Sequence, residues 1–246
     1  MKNKLLLLSV CVMLLTAGCG TTKEAQTQTP IADNSQQAES TAKTNNSGTK
    51  SERVSENFVT YTDSIGTPHI LYLGVVQNTD TKPLQYGGVT IDVNDDNGNL
   101  IKHLDMGIVY PDYLMPGEKG YICEDCAQLD DTIDLTKVAK TEMHYGTRAA
   151  TNYKKPNVEI TQLELKTNQL GPNVIGKVKS NEDIEDLWIA FPICDSNGNL
   201  QTVAITNVGN ISNGDERGFE CTPMEYDPNI DFSASKVEAL PYVSLF

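Results

Sequence analysis

Hydrophobic and polar residues alternate with a period of two through most of the chain beyond about residue 57. One such run contains Val158, Ile160, Leu163 and Leu165. Because successive side chains of a strand point to opposite faces of a sheet, this pattern predicts strands with one buried face. Polar turn residues separate the runs, which is typical of an antiparallel all-β fold.

One turn sequence occurs twice, 100 residues apart. Residues 95–100 are Asp-Asp-Asn-Gly-Asn-Leu, and residues 195–200 are Asp-Ser-Asn-Gly-Asn-Leu. Asn-Gly between two alternating runs is a strong hairpin signal, because both residues tolerate positive φ. A glycine-containing strand before the hairpin and a glycine turn after it recur in the same order. This repetition predicts one β module that is present twice.

We predict an all-β protein with two tandem antiparallel β-sandwich modules of immunoglobulin-like type, covering residues 57–150 and 151–246. Roughly 90 residues per module are enough for one sandwich core. Pro156 interrupts any strand that continues between the modules, and the short connection favours a semi-rigid tandem. The segment 130–143 could form a short helix, but its match to residues 230–232 favours a non-helical structure.

The strand that enters the second hairpin resembles a known family signature. Residues 191–198, Phe-Pro-Ile-Cys-Asp-Ser-Asn-Gly, resemble the motif of the FxLYD domain, with Cys194 where the family has tyrosine. The first copy, residues 91–98, departs from the motif at its aromatic positions. The resemblance covers residues 57–246 as two copies. It implies a small β-sandwich module of bacterial surface lipoproteins and implies no catalytic residues.

The first residues have the pattern of a lipoprotein signal peptide. Two lysines precede an apolar stretch from Leu5 to Leu15, which is too short to span a bilayer as a mature helix. The stretch ends in Leu-Thr-Ala-Gly-Cys, which resembles the lipobox of bacterial lipoproteins. We therefore expect residues 1–18 to be removed and Cys19 to be lipidated. The alternative is an ordinary secretory signal with an incidental cysteine.

Residues 19–56 are rich in Thr, Gln, Ser, Asn, Ala and Lys and contain almost no large apolar side chains. Such a segment cannot bury enough surface to offset its conformational entropy, so we predict a disordered linker. The lipid on Cys19 would anchor the mature protein in the bilayer. The predicted location is the extracytoplasmic face of the cell membrane.

The formal net charge is −14 at pH 7 and is spread over loops and turns. Such a surface repels nucleic acid and anionic lipid, which argues against direct binding to either. The expected contact with the lipid bilayer is therefore the Cys19 anchor alone.

Four cysteines remain in the folded part once Cys11 leaves with the signal peptide and Cys19 is lipidated. An even number of cysteines in an exported protein favours disulfides. Cys123 and Cys221 occupy matching places in the two repeats, yet their partners differ. The predicted pairs are Cys123 with Cys126 and Cys194 with Cys221.

The alternative is a zinc-binding or thiol-redox site at Cys123 and Cys126, which form a CxxC motif. The sequence has no second CxxC, and the flanking Glu124 and Asp125 would raise the pKa of a neighbouring thiol. We therefore favour structural cysteines without a metal. Further zinc ligands, if needed, would come from Cys194, Cys221, His69, His103 or His144.

No catalytic motif is present. The sequence lacks a Gly-x-Ser-x-Gly elbow, an HExxH motif and a phosphate-binding glycine loop. Asp92, Asn94 and Asp96 alternate as calcium ligands would, but the next glycine comes one residue late for an EF-hand loop. We predict a turn at this place, and a non-enzymatic protein without a cofactor.

Aromatic residues supply the candidates for binding, since they dominate interface hot spots. Trp188 would anchor a partner if it is exposed, although core packing is its more common fate. The loop 110–115 carries the aromatic and apolar residues Tyr110, Tyr113, Leu114 and Met115, where the second repeat has the more polar segment 210–213. We predict a module that binds another envelope protein or a cell-wall component. The candidate contact residues are Tyr110, Tyr113, Leu114, Met115 and Trp188.

Overall fold

The computed structural model describes residues 48–127, 132–168 and 171–244. These residues form β-strands and two single turns of 3-10 helix, Leu135–Lys137 and Phe232–Ala234, so the all-β prediction is confirmed. Within the described residues no helix is long and apolar enough to cross a membrane. The predicted signal peptide, Cys19 and the linker as far as residue 47 lie outside these residues.

Fourteen strands are present in the described part of the chain, seven before residue 150 and seven after it. They are β1 (Ser51–Thr62), β2 (Pro68–Asn78), β3 (Leu84–Asn94), β4 (Leu100–Gly107), β5 (Tyr113–Leu114), β6 (Lys119–Asp125), β7 (Lys140–Ala149), β8 (Val158–Asn168), β9 (Gly171–Ser180), β10 (Ile184–Cys194), β11 (Leu200–Ile211), β12 (Glu216–Cys221), β13 (Lys236–Val237) and β14 (Leu240–Val243).

The strands of each half form two antiparallel sheets. In the first half β1, β2 and β6 form one sheet, and β3 pairs with β4, β5 and β7 in the other. In the second half β8, β9 and β12 form one sheet, and β10 pairs with β11, β13 and β14 in the other. A separate apolar core joins the two sheets of each half, around Tyr72 and Ile91 in the first and Val178 and Phe191 in the second. The architecture is therefore two β-sandwiches in tandem.

The two repeated turns have the same hydrogen bonds. Asp95 Oδ1 accepts from the backbone N–H groups of Asn97 and Asn99 at 2.9 and 2.8 Å. At Asp195 both equivalent distances are 2.8 Å. The glycine of each turn has a positive φ, +81° in the first copy and +88° in the second. Each aspartate is engaged by its own turn, which agrees with a hairpin rather than a calcium loop.

The segment matched to residues 230–232 has the same local fold in both repeats. Asp134 caps the first 3-10 turn by accepting a hydrogen bond from the N–H of Thr136. Asp231 caps the second turn in the same way, through the N–H of Ser233. The non-helical interpretation is therefore confirmed for the described residues, 132–143.

The two sandwiches pack against each other through the outer faces of two sheets. The nearly continuous apolar run 70–76 in β2 has one face in the first core and the other face against the second sandwich. The run 187–193 in β10 is buried on both faces in the same way. The four sheets therefore form layers with three apolar interiors. The middle one, here called the inter-module cluster, consists of Leu71, Leu73, Val75, Tyr121, Cys123, Ala190, Leu200, Val203 and Tyr242.

The repeats differ at the positions that make these two faces apolar. Val75 in β2 corresponds to Lys177 in β9, one residue after the shared glycine. Ala190 in β10 corresponds to Thr90 in β3. The outer faces of the two remaining sheets are therefore more polar, and stacking ends after two modules.

The connection between the modules also packs on the first one. The Tyr153 ring stacks on Tyr113 with a centroid distance of 4.6 Å, and Lys155 Nζ lies 2.5 Å from Glu118 Oε1. Elsewhere the Tyr61 hydroxyl donates to the carbonyl oxygen of Tyr226 in the second module at 3.1 Å. These contacts hold the two modules together at the connection between them and at their interface.

Strand β1 begins at Ser51, six residues before the predicted start of the first module. Ser51 is paired with Asn78 of β2, and its hydroxyl lies 2.6 Å from that of Tyr86. Backbone pairing and side-chain hydrogen bonds hold these polar residues in a strand without an apolar pattern. The linker predicted to reach residue 56 therefore ends by residue 50.

We expect Leu73→Ala to destabilise the protein by about 2 to 4 kcal/mol, because the substitution leaves a cavity in the inter-module cluster. The matched control is Ile175→Ala, at the equivalent strand position on the half-exposed outer face of β9, where the cost should be below about 1 kcal/mol. Urea unfolding of the purified full-length variants measures both values. Equal losses of unfolding free energy at the two positions would show that the interface contributes no more to stability than an ordinary surface does.

Candidate functional site

Tyr110 and Trp188, predicted from different repeats as contact residues, lie at the same place in the structure. Tyr110 is in the segment between β4 and β5 of the first module, and Trp188 is in β10 of the second. Both line a cavity of about 200 Å³ at the junction of the modules. We call it the seam cavity, and its lining residues are Ile108, Tyr110, Asp112, Trp188, Tyr242 and Ser244.

Two other predicted contact residues, Tyr113 and Leu114, are buried in the structure. Leu114 is fully buried in the first core, and Tyr113 is 4% exposed. The reason is that both form the short strand β5, in which Leu114 pairs with Leu84. Met115 is half-buried, and its backbone N–H donates to Glu118 Oε2 at 2.9 Å.

Trp188 is half-buried and is positioned by Asp186. The indole Nε1–H donates to Asp186 Oδ2 at 2.8 Å, and Asn207 Nδ2 donates to Oδ1 at 2.7 Å. Asp186 has a φ of +56°, which is uncommon for a residue other than glycine. It lies where the register between β10 and β11 is irregular. This bulge and its two hydrogen bonds set the direction of the indole ring.

Tyr242 comes from the C-terminal strand and lies directly opposite Trp188 in the β10–β14 pair. It is only 3% exposed and belongs to the inter-module cluster. Sequence reasoning missed Tyr242, because its environment depends on β14 joining the sheet at the seam. The missed residue Asp112 did leave a signal, since it is a lone carboxylate within the apolar run 108–114.

Asp112 is buried without a partner for its carboxylate. Its exposed fraction is 3%, and neither carboxylate oxygen has a hydrogen-bond partner among the described residues. Its backbone carbonyl accepts from the N–H of Tyr86 at 2.7 Å, which fixes the residue in place. Burial raises the pKa of the Asp112 carboxyl to about 6. An unpartnered buried polar group costs about 1 to 3 kcal/mol, and more if it is charged. Groups whose pKa is raised in this way cluster at functional sites.

Asp112→Asn should stabilise the protein at pH 7.5 by about 3 kcal/mol and have little effect at pH 4. The folded pKa of Asp112 lies above its unfolded value of 3.8, so ionisation opposes folding. The penalty is absent below about pH 4, grows as the pH rises towards 6 and is complete above it. Urea unfolding of variant and wild type at both pH values measures the difference. The control is Asp96→Asn on the exposed hairpin, and a gain of the same size at both pH values would contradict the assignment.

The predicted disulfides are not formed, because Cys123, Cys126, Cys194 and Cys221 are free thiols. Cys123 lies in the inter-module cluster, whereas Cys126 lies in the first core. Cys194 packs against the inter-module cluster and Cys221 against the second core. Each predicted pair is therefore divided between two apolar interiors.

The predicted match between Cys123 and Cys221 is also wrong by one residue. Cys123 pairs with Leu73, immediately before the glycine of β2. Cys221 pairs with Val174, two residues before the glycine of β9. A shift of one residue places side chains on opposite faces of a strand, which is why the two cysteines enter different interiors.

The CxxC motif has the environment of two structural thiols. Burial raises the pKa of Cys123 to about 12, and it raises the pKa of Cys126 as well. Cys123 Sγ lies 3.7 Å from the hydroxyl of Thr202 in the second module. A thiol that stays protonated is a poor nucleophile and a poor metal ligand.

We expect alkylation of the denatured, unreduced mature protein to add four carbamidomethyl groups to the folded part, one at each free cysteine. Native protein should react slowly at Cys123 and Cys126, because both thiols are buried and protonated. Intact mass and peptide mapping measure both results. If two of the thiols react only after a reductant is added, they form a disulfide, and the expectation of four free thiols is wrong.

The three histidines lie beside carboxylates on the first module. His103 Nδ1 is 2.5 Å from Asp92 and its Nε2 is 2.9 Å from Asp105, and these hydrogen bonds raise the pKa of His103. His69 Nδ1 lies 2.7 Å from Asp125. Among residues 48–127, 132–168 and 171–244 no group of three or more His, Cys, Asp or Glu side chains is arranged to hold a metal ion.

Comparisons with known proteins do not place the chain in a family: no protein-family model matches it, and no curated protein matches it significantly. The FxLYD resemblance of residues 91–98 and 191–198 therefore stays a prediction. The seam cavity is described by its own geometry alone.

Proposed function

We propose that this protein is a lipid-anchored, extracytoplasmic binding protein whose ligand enters the seam cavity. The lipobox-like sequence ending at Cys19 and the polar linker support anchoring at the outer face of the membrane. The acidic surface supports a soluble body held outside the bilayer by that anchor. The proposed activity is binding without catalysis.

The observation that carries the proposal is the buried, unpartnered carboxylate of Asp112 beside an aromatic-lined cavity. Ligand sites in proteins are concave and mostly apolar, with a few polar groups that orient the ligand. The seam cavity has this composition, and residues of both modules are needed to form it. The partner we propose is an envelope protein or a cell-wall component that presents a small group to the cavity.

Photo-crosslinking in intact cells tests the site. We expect p-benzoylphenylalanine in place of Ile108 to form an adduct of discrete mass, because Ile108 lies at the cavity and is 41% exposed. The control carries the same label in place of Ile65, which is 86% exposed in the β1–β2 turn. Mass spectrometry of the purified protein identifies adducts. The absence of an adduct at position 108, or the same adduct at both positions, would contradict a ligand site at the seam.

Cys19→Ser tests the anchor separately from the cavity. The variant should lose its lipid and leave the membrane fraction for the soluble fraction, because the anchor is the expected contact with the bilayer. Fractionation and intact mass measure the change. A variant that stays in the membrane fraction would contradict anchoring through Cys19.

A further inference from the structure

The seam cavity lies beside a buried acidic residue. Asp112 is only 3% exposed. Burial, rather than a neighbouring charge, raises the pKa of its carboxyl. Both carboxylate oxygens are shielded from solvent, so Asp112 acts on a ligand in the cavity through its charge. A neutral ligand would leave this charge uncompensated, and an anion would be repelled by it. A bound cation would offset the electrostatic cost of the buried carboxylate.

Two further carboxylates, those of Glu124 and Asp186, are hydrogen-bonded to residues that line the cavity. The backbone N–H of Ile108 donates to Glu124 Oε1 at 2.9 Å, and Asp186 accepts from the indole of Trp188. Burial raises the pKa of Tyr242, and the charges of Asp112 and Asp186 act in the same direction. Burial raises the pKa of Glu124 to about 7, so the charges that favour a cation are mainly those of Asp112 in the first module and Asp186 in the second.

The walls indicate which kind of cation fits. Three aromatic side chains line the cavity, contributed by Tyr110, Trp188 and Tyr242. Aromatic rings attract cations through their quadrupole, most strongly for tryptophan and in desolvated sites. Calcium or magnesium would need about six oxygen ligands, and Asp112 supplies two at most. An organic cation with apolar substituents suits both the rings and the single carboxylate.

The volume limits the group that enters. About 200 Å³ corresponds to roughly seven water molecules at the liquid share of about 30 Å³ each. A quaternary or secondary alkylammonium group has this scale, whereas a peptide side chain with its backbone does not enter completely. The ligand is therefore a small ammonium compound or the ammonium head of a larger molecule.

We propose that the seam cavity binds an alkylated ammonium group, with the Asp112 carboxylate as its counter-ion and Tyr110, Trp188 and Tyr242 as its walls. This inference rests on the proposed function and specifies the ligand class. A free compound and a headgroup on a larger molecule share this chemistry.

Trp188 is the only tryptophan in the chain, so its fluorescence reports on the cavity directly. The experiment titrates purified full-length protein in a non-ionic detergent with choline chloride at constant ionic strength. We expect a saturable change in emission, and calorimetry gives an independent affinity. The matched probe is 3,3-dimethyl-1-butanol, which has the same shape with carbon in place of the charged nitrogen. It should bind at least about tenfold more weakly, because it lacks the charge.

The protein control separates Asp112 from general charge. Asp112→Asn should weaken choline binding at least about tenfold, and Asp96→Asn, with the same charge change on the exposed hairpin, should bind like wild type. Circular dichroism checks that both variants are folded. Equal binding of the neutral probe, a response linear in choline, or an unchanged affinity in Asp112→Asn would overturn the proposal.

A phosphocholine titration separates the two sources of the ligand. Binding of both phosphocholine and choline supports a headgroup that enters the cavity, whereas binding of choline alone supports a free compound. Failure of both probes together with an adduct at position 108 overturns the ammonium assignment and leaves the proposed function standing. Failure of the probes and of crosslinking overturns both.

Discussion

Burial of a second face on two central sheets is the constraint on which the rest of the structure depends. A sandwich needs one apolar face per sheet, yet β2 and β10 are apolar on both. Leu73 and Ala190, on the outer faces, would expose apolar surface on separated modules, at roughly 25 cal/mol per Å². Packing the two faces together removes that surface from water. The order of the layers, the position of the C-terminal strand and the seam cavity follow from this contact.

At the seam cavity, the docked arrangement stabilises a structure that contains an energetically unfavourable buried carboxylate, that of Asp112. Asp112 lies on the first module, while Trp188 and Tyr242 come from the second. The cavity beside the carboxylate exists only in the docked arrangement, because residues of both modules line it. The left-handed backbone of Asp186 is a second local cost at the same site, and such costs concentrate where a protein binds or reacts. The apolar stack stabilises both.

The sequence predicted local structure well and side-chain partners poorly. The Asp95 and Asp195 hairpins follow from backbone preferences of nearby residues, so both were predictable and have the same hydrogen bonds. The cysteine pairs were not, because a shift of one residue between β6 and β12 moves Cys123 and Cys221 to opposite faces. Tyr110 and Trp188 were identified by type, but only the fold brings them together.

The amino-acid sequence by itself determined the all-β class, the twofold repetition and the turns, because periodicity and turn chemistry act over a few residues. It did not determine which faces of the repeats meet. Leu100 and Leu200 end the same turn motif, yet Leu100 is 57% exposed and Leu200 is 8% exposed in the inter-module cluster. Tertiary structure alone decided this difference, and with it the burial of Asp112. Contacts between residues far apart in the chain depend on how two surfaces fit, which no local pattern specifies.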